Sequence, residues 1–179
     1  MRLVRGKNIV LSGFMGAGKT EVGRAVARLA GLAFIDLDAE IEKRSGMSIP
    51  DIFETLGEPE FRRRETGAIR EVSARQQVVI ATGGGAVINP ENVAQLRKSG
   101  VVICLTASVE TILRRLGSGE NRPLLNTGNP EQRIRELLAE RQPFYEQADI
   151  IITTDGKTPQ TVAEEVVDRV AAWKSAGKG

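Results

Sequence analysis

Histidine does not occur in this chain of 179 residues, and cysteine occurs once, at Cys104. Without histidine, proton transfer falls to a carboxylate, lysine, tyrosine, water or the substrate itself, so histidine-based triads and most zinc sites are excluded. A single cysteine forms no internal disulfide, which suits a reducing compartment; within the apolar run VVICL it reads as a small buried hydrophobe. Aromatic residues make up 4% of the chain, too few for a row of base-stacking platforms. The formal net charge of +2 is too slight a basic excess to make nucleic acid the main partner. No apolar run approaches the length needed to span a bilayer, and the opening MRLVRGKNIV carries charge but no long apolar segment or cleavage site. The expectation is a soluble, cytoplasmic protein with neither a membrane nor a nucleic-acid partner.

What is present is enough apolar residues, 41%, to bury a core, in a length that suits one domain over residues 1–179. Five short runs rich in β-branched residues recur: NIVLS (8–12), LAFID (32–36), VVIAT (78–82), VVICL (101–105) and DIIITT (149–154). Their nearly continuous apolar character predicts strands buried on both faces of a parallel sheet. Helical patterns separate them. Val22, Val26 and Leu29 form an apolar stripe, as do Val162, Val166, Val170 and Trp173. Asn89, Ser108, Asn129 and Thr158 precede helical runs as caps, the Asn129 to Gln132 stretch resembling a capping box. The alternation implies an α/β layered fold with right-handed crossovers and a ligand crevice at the carboxyl ends of the strands. Residues 38–76 read as a long, charged, helical insertion, and residues 117–129 (GSGENRPLLNTGN) as a flap.

The stretch GFMGAGKT, Gly13 to Thr20, follows the first run directly. Gly13, Gly18, Lys19 and Thr20 fill the fixed places of the phosphate loop, in which backbone N–H groups cradle phosphates and the hydroxyl ligates Mg²⁺. A helix starting at Lys19 would aim its N-terminal dipole at the anion. Machines that hydrolyse nucleotide carry an acidic residue at the end of a neighbouring strand. Here three glycines, Gly83 to Gly85, stand in that place and permit close approach of a ligand to the backbone. Acidity lies instead at Asp36 and Asp38, two apart at the tip of the second run and therefore expected on one side of an extended segment. One would assist Mg²⁺ and the other an acceptor hydroxyl, while Asp38 would also suit a helix cap. Arg62, Arg122 and Arg141, each in a different local context, would grip an anionic acceptor as well as nucleotide; Arg63 and Arg64 read as helix surface. Pro143 should kink the chain just after Arg141.

On GFMGAGKT, the D-L-D at 36 to 38, F-R-x-x-E at Phe61 to Glu65, TGGG at 82 to 85, RPLL at 122 to 125 and E-R-x-P-x-Y at Glu140 to Tyr145, the sequence resembles the shikimate kinase family along nearly its whole length. The resemblance implies a monomer with a five-stranded parallel sheet flanked by helices, the P-loop fold of the nucleoside monophosphate kinases. It implies an ATP- and Mg²⁺-dependent phosphorylation of the 3-hydroxyl of shikimate on the chorismate route. Carried over position by position, Gly16, Ala17, Gly18, Lys19, Thr20 and Glu21 would hold the nucleotide, with Arg115 and the loop around Thr158 flanking the adenine. Thr20 and Asp36 would hold the metal. Asp38, Arg62, Gly84 and Arg141 would bind shikimate, the two arginines clamping its carboxylate. Arg122 would be the lid arginine over the transferring phosphate, and Lys19, Asp38 and Arg122 the catalytic set. Glu21 departs from the second hydroxyl residue found there in many relatives. Two other readings remain open: a kinase of another small acceptor, such as gluconate or a nucleoside monophosphate, and a nucleotide-binding regulator without catalysis.

Overall fold

In the computed structural model, which describes residues 6–117 and 128–173, the five apolar runs pair as one parallel sheet. Its strands β1 (Asn8–Gly13), β2 (Ala33–Asp36), β3 (Val78–Ala81), β4 (Gly100–Thr106) and β5 (Ile150–Thr153) lie in the order β2-β3-β1-β4-β5. Side chains alternate across the pleat. Ile9, Leu11 and Ile103 enter one apolar cluster, and Val10, Ile80 and Val102 enter another. The first cluster is completed by α1 (Lys19–Ala30) and α8 (Pro159–Ala172), through Val22, Val26, Val162, Val166 and Val170. The second is completed by α2 (Leu37–Ser45), α3 (Ile49–Leu56), α4 (Glu58–Ser73) and α5 (Pro90–Ser99). A third, around Phe14 and Cys104, takes in α6 (Val109–Leu116) and α7 (Pro130–Tyr145).

Burial on both faces holds for β1, β3 and β4 and fails at the two edges. Ala33 of β2 is exposed, and Ile151 of β5 is 43% exposed, because a strand at the margin of a sheet has less of the helical layers over it. Leu29 departs from its stripe: it stands 46% exposed in the last turn of α1, while Val22 and Val26 are buried. Trp173 is partly buried at the end of α8, with the Lys7 ammonium 5.5 Å from its ring centre.

Asn89, Ser108 and Thr158 cap α5, α6 and α8 as expected, each side chain accepting a hydrogen bond from a first-turn N–H. Asn129 caps α7, but Gln132 donates to Glu136 instead of reaching back, so the capping box is half formed. The cap of α2 is Asp36, which accepts from the N–H groups of Asp38 and Ala39; Asp38 itself sits inside the first turn. The strand-alternation argument for Asp36 and Asp38 therefore does not apply, since β2 ends at Asp36. The insertion resolves into α2, α3 and α4, with Arg44 of α2 paired to Glu40 and to Glu71 of α4. Pro143 lies inside α7, which runs on to Tyr145.

This wiring opens the crevice. From β1 the chain leaves into α1 over one face, and from β3 it leaves through a 3-10 turn (Ala86–Ile88) into α5 over the other. Neighbouring strands whose connections diverge in this way leave a gap at their carboxyl ends. Ile103 lies at the centre of the sheet with no exposed surface. Ile103→Ala is expected to lower unfolding free energy by about 2–5 kcal/mol, whereas Leu29→Ser should stay within about 0.5 kcal/mol. Urea titration of both variants checks this, and equal effects would contradict the assigned burial.

Candidate active site

The turn from β1 into α1 is built to receive an anion. Gly18 sits at the helix N-cap with φ +95°, a left-handed conformation open to glycine at little cost, and supplies no side-chain cap. The first-turn N–H groups of a helix have no intrahelical acceptor, so here they face the crevice in place of a cap. The Lys19 ammonium reaches back along the loop and donates to the carbonyls of Gly13 and Phe14, at 2.8 and 2.9 Å. Beside it the Thr20 hydroxyl donates to Asp36 Oδ2 at 2.8 Å. A hydroxyl and a carboxylate in contact are hard oxygen donors of the kind Mg²⁺ takes when phosphates and waters complete its shell. Among the described residues no group of three or more carboxylates, histidines or cysteines forms a metal cage.

A second cavity, about 360 Å³, lies across the glycine turn from the phosphate loop. Phe53, Phe61 and Ile49 give it an apolar wall, and Arg62, Arg141 and Gly83–Gly85 a polar one. Arg141 is 7% exposed and packs over the ring of Phe14. Arg62 donates to Glu58 and to Glu65, at 3.1 and 2.9 Å. A Cβ on Gly85 would come within 2.6 Å of the Arg62 guanidinium, so only glycine lets that group lie against the turn. On Gly84 a Cβ would be 3.4 Å from Arg141 Nη1. The cavity shares Met15, Asp38, Glu42, Gly83 and Gly84 with the one over the phosphate loop, so the two adjoin.

Glu65 is the residue that sequence reasoning left without a role. It is 1% exposed; one oxygen accepts from Arg62, and the other has no hydrogen-bond partner among the described residues. That second oxygen and Asp38 Oδ1 lie 3.0 and 3.1 Å from the point a Cβ on Gly83 would occupy. Burial pushes the Glu65 carboxyl up, with Asp38 adding to it and Arg62 and Arg141 opposing. The i, i+3 spacing from Arg62 was the available signal. Glu42 was likewise missed; it accepts from Ile49 N–H and so fixes the turn between α2 and α3.

On the other side of the loop, Arg115 donates to the Gly16 carbonyl and to both oxygens of Thr154. With Gly18, Glu21, Lys157 and Pro159 it lines a cavity of about 350 Å³. Thr158 does not line it; its hydroxyl accepts from Thr161 N–H as the α8 cap. Ala17 is buried beneath the loop. Cys104 is buried with its thiol pushed up to about 11, an inert group as expected. Arg63 and Arg64 pair with Glu60 on the helix surface. Arg122 and most of the 117–129 segment fall outside the described residues.

Residues 15–171 match the family model described as shikimate kinase. The shikimate kinase of Thermoanaerobacter pseudethanolicus is 53% identical over 161 residues, covering 90% of this chain and 94% of that protein. That of Bordetella pertussis is 47% identical over 167 residues, covering 93% and 79%. Among solved structures, shikimate kinase from Acinetobacter baumannii in complex with shikimate aligns with a TM-score of 0.91 at 43% identity, covering 94% of each chain. A gluconokinase from Sinorhizobium meliloti aligns with a TM-score of 0.63 at 20% identity, a likeness of fold alone.

The buried Glu65 carboxyl sets a pH signature. Its folded pKa lies above the ordinary 4.5, so its contribution to stability is complete below that pH and is lost as pH rises through the folded value. Glu65→Gln is therefore expected to gain on the unmutated protein as pH climbs from 4 toward 7, read by urea unfolding at each pH. A stability gap that widens in the opposite direction would contradict the cause assigned.

Proposed function

The chain belongs to the shikimate kinase family, and on that premise we propose that it transfers the γ-phosphoryl group of ATP to the 3-hydroxyl of shikimate, giving shikimate 3-phosphate and ADP on the route to chorismate. The observation that carries this reading is the adjacency of two receptors: a phosphate cradle at the start of α1 and a small cavity with two guanidinium groups share Gly83 and Gly84 in their walls. A carboxylated ring seated between Arg62 and Arg141 would turn a hydroxyl toward the phosphate loop. The match over most of the chain favours this acceptor over gluconate or a nucleoside monophosphate.

Phosphoryl transfer asks little covalent chemistry of the protein; its work is in-line placement and neutralisation of charge on the equatorial oxygens. Lys19, now held by the Gly13 and Phe14 carbonyls, would turn to the β- and γ-phosphates. Asp38 at the lip of both cavities would hold the acceptor hydroxyl in line, and needs no great basicity to do so. Thr20 and Asp36 fit Mg²⁺ by donor type and contact, and a bound ion would supply charge neutralisation on the phosphate oxygens. Arg115 would flank the base. The resemblance gives Arg122 the lid role, and we extend it to a monomer of one domain in the cytoplasm. Among the described residues no helix is long and apolar enough to cross a membrane.

An assay coupling ADP release to shikimate tests the reading directly: turnover with shikimate and none with gluconate or a nucleoside monophosphate is expected, and the reverse would overturn it. Lys19→Met should lower turnover by about a hundredfold or more, as loss of preorganised charge at a phosphate does. Arg62→Ala should weaken shikimate binding by about 1.5–3 kcal/mol and leave ATP affinity intact; equal loss of both would remove the clamp from Arg62.

A further inference from the structure

The Tyr145 hydroxyl donates to the carbonyl of Gly84 at 2.7 Å. Tyr145 is buried at the end of α7, one turn beyond Arg141, so the two side chains leave the same face of one helix. In a trans peptide the carbonyl of residue 84 and the N–H of residue 85 point in opposite directions, so fixing one fixes the other. No described residue accepts a hydrogen bond from the Gly84 or Gly85 N–H, although Gly85 is buried. At the same two residues the guanidinium groups come close to the turn: a Cβ on Gly84 would lie 3.4 Å from Arg141 Nη1, and one on Gly85 2.6 Å from Arg62 Nη2. We propose that Tyr145 is a positioning residue: its hydroxyl sets the Gly84–Gly85 peptide so that the Gly85 N–H completes, with Arg62 and Arg141, the receptor for the substrate carboxylate.

Several features agree with this role. Three glycines in succession leave the turn free to rotate its peptides, so an orientation useful for binding has to be imposed from outside. Tyr145 imposes it through the Gly84 carbonyl, and the chain itself adds bonds from Ala86 N–H to the Gly83 carbonyl and from Ile88 N–H to that of Gly85. Burial pushes the Tyr145 hydroxyl up to about 12, which keeps it a donor throughout the neutral range. Because Arg141 and Tyr145 share α7, one rigid element carries both the charge on the carboxylate and the clamp on the turn.

The inference rests on the shikimate reading above, and the test separates the two. Tyr145→Phe removes one oxygen and leaves the Gly84 carbonyl without its partner. Shikimate KM is expected to rise about tenfold, the cost of one orphaned buried acceptor, with kcat and ATP KM changed by less than about twofold. The preference of the unmutated enzyme for shikimate over its methyl ester should shrink by a similar factor, because the turn reads the carboxylate. A KM equal to that of the unmutated enzyme, or equal losses for acid and ester, or equal losses for shikimate and ATP, would each overturn the assignment. If the variant melts too early for kinetics, amide exchange of Gly85 in the unmutated protein decides: shikimate should slow it, and no slowing overturns the proposal. A wild-type chain that leaves shikimate unphosphorylated overturns both readings; one that phosphorylates it while Tyr145→Phe is silent overturns this one alone.

Discussion

Backbone N–H groups that have no partner among the described residues where β1 and β3 end are the constraint on which the rest of the crevice depends. At the end of β1 they open the first turn of α1, with glycine in place of a capping side chain. At the end of β3 they belong to the glycine turn. Such donors are costly to bury without an acceptor, and they persist where a ligand supplies one. The sheet order makes the two sets neighbours, because β1 and β3 pair directly while their connections depart over opposite faces. Charge then follows the donors: Lys19 lies along the first, and Arg62 and Arg141 lie against the second.

The insertion between β2 and β3 holds that charge in place. Arg62 would swing freely were it not tied to Glu58 and Glu65, and the helix that carries it is braced on α2 by Arg44 and Glu71. Exposed pairs of this kind add little stability singly; their value here is geometric, since they fix a guanidinium at the lip of a cavity. The buried Glu65 is different. Its ionisation is favoured by two arginines but opposed by burial and by Asp38, and burial prevails, so its carboxyl is held above the ordinary carboxylate value.

Most of the architecture was legible because it rests on local rules. The phosphate loop, the five apolar runs, the caps at Asn89, Ser108 and Thr158, and the separation of Arg62 from Arg63 and Arg64 all follow from spacing and residue type. What stayed hidden depends on where elements sit relative to one another. Nothing in the run IIIT marks β5 as an edge strand with Ile151 exposed, and nothing in the α1 stripe says that Leu29 is left exposed where Val22 and Val26 are buried. The cap expected at Asp38 was misplaced by two residues because β2 ends at Asp36, two positions earlier than the alternating pattern implied. Glu65 and Tyr145 carried a signal in their helical spacing from Arg62 and Arg141, but their partners, Asp38 and the Gly84 carbonyl, come from other elements.

The central claim is that phosphate cradle and acceptor pocket form one crevice close enough for a single direct transfer, with no phosphorylated side chain between donor and acceptor. The stereochemistry at phosphorus tests it most directly. With ATP made chiral at its γ-phosphorus by oxygen isotopes, one in-line displacement inverts the configuration in shikimate 3-phosphate. Inversion is the predicted result; retention would mean two displacements through an enzyme-bound intermediate and would contradict the account.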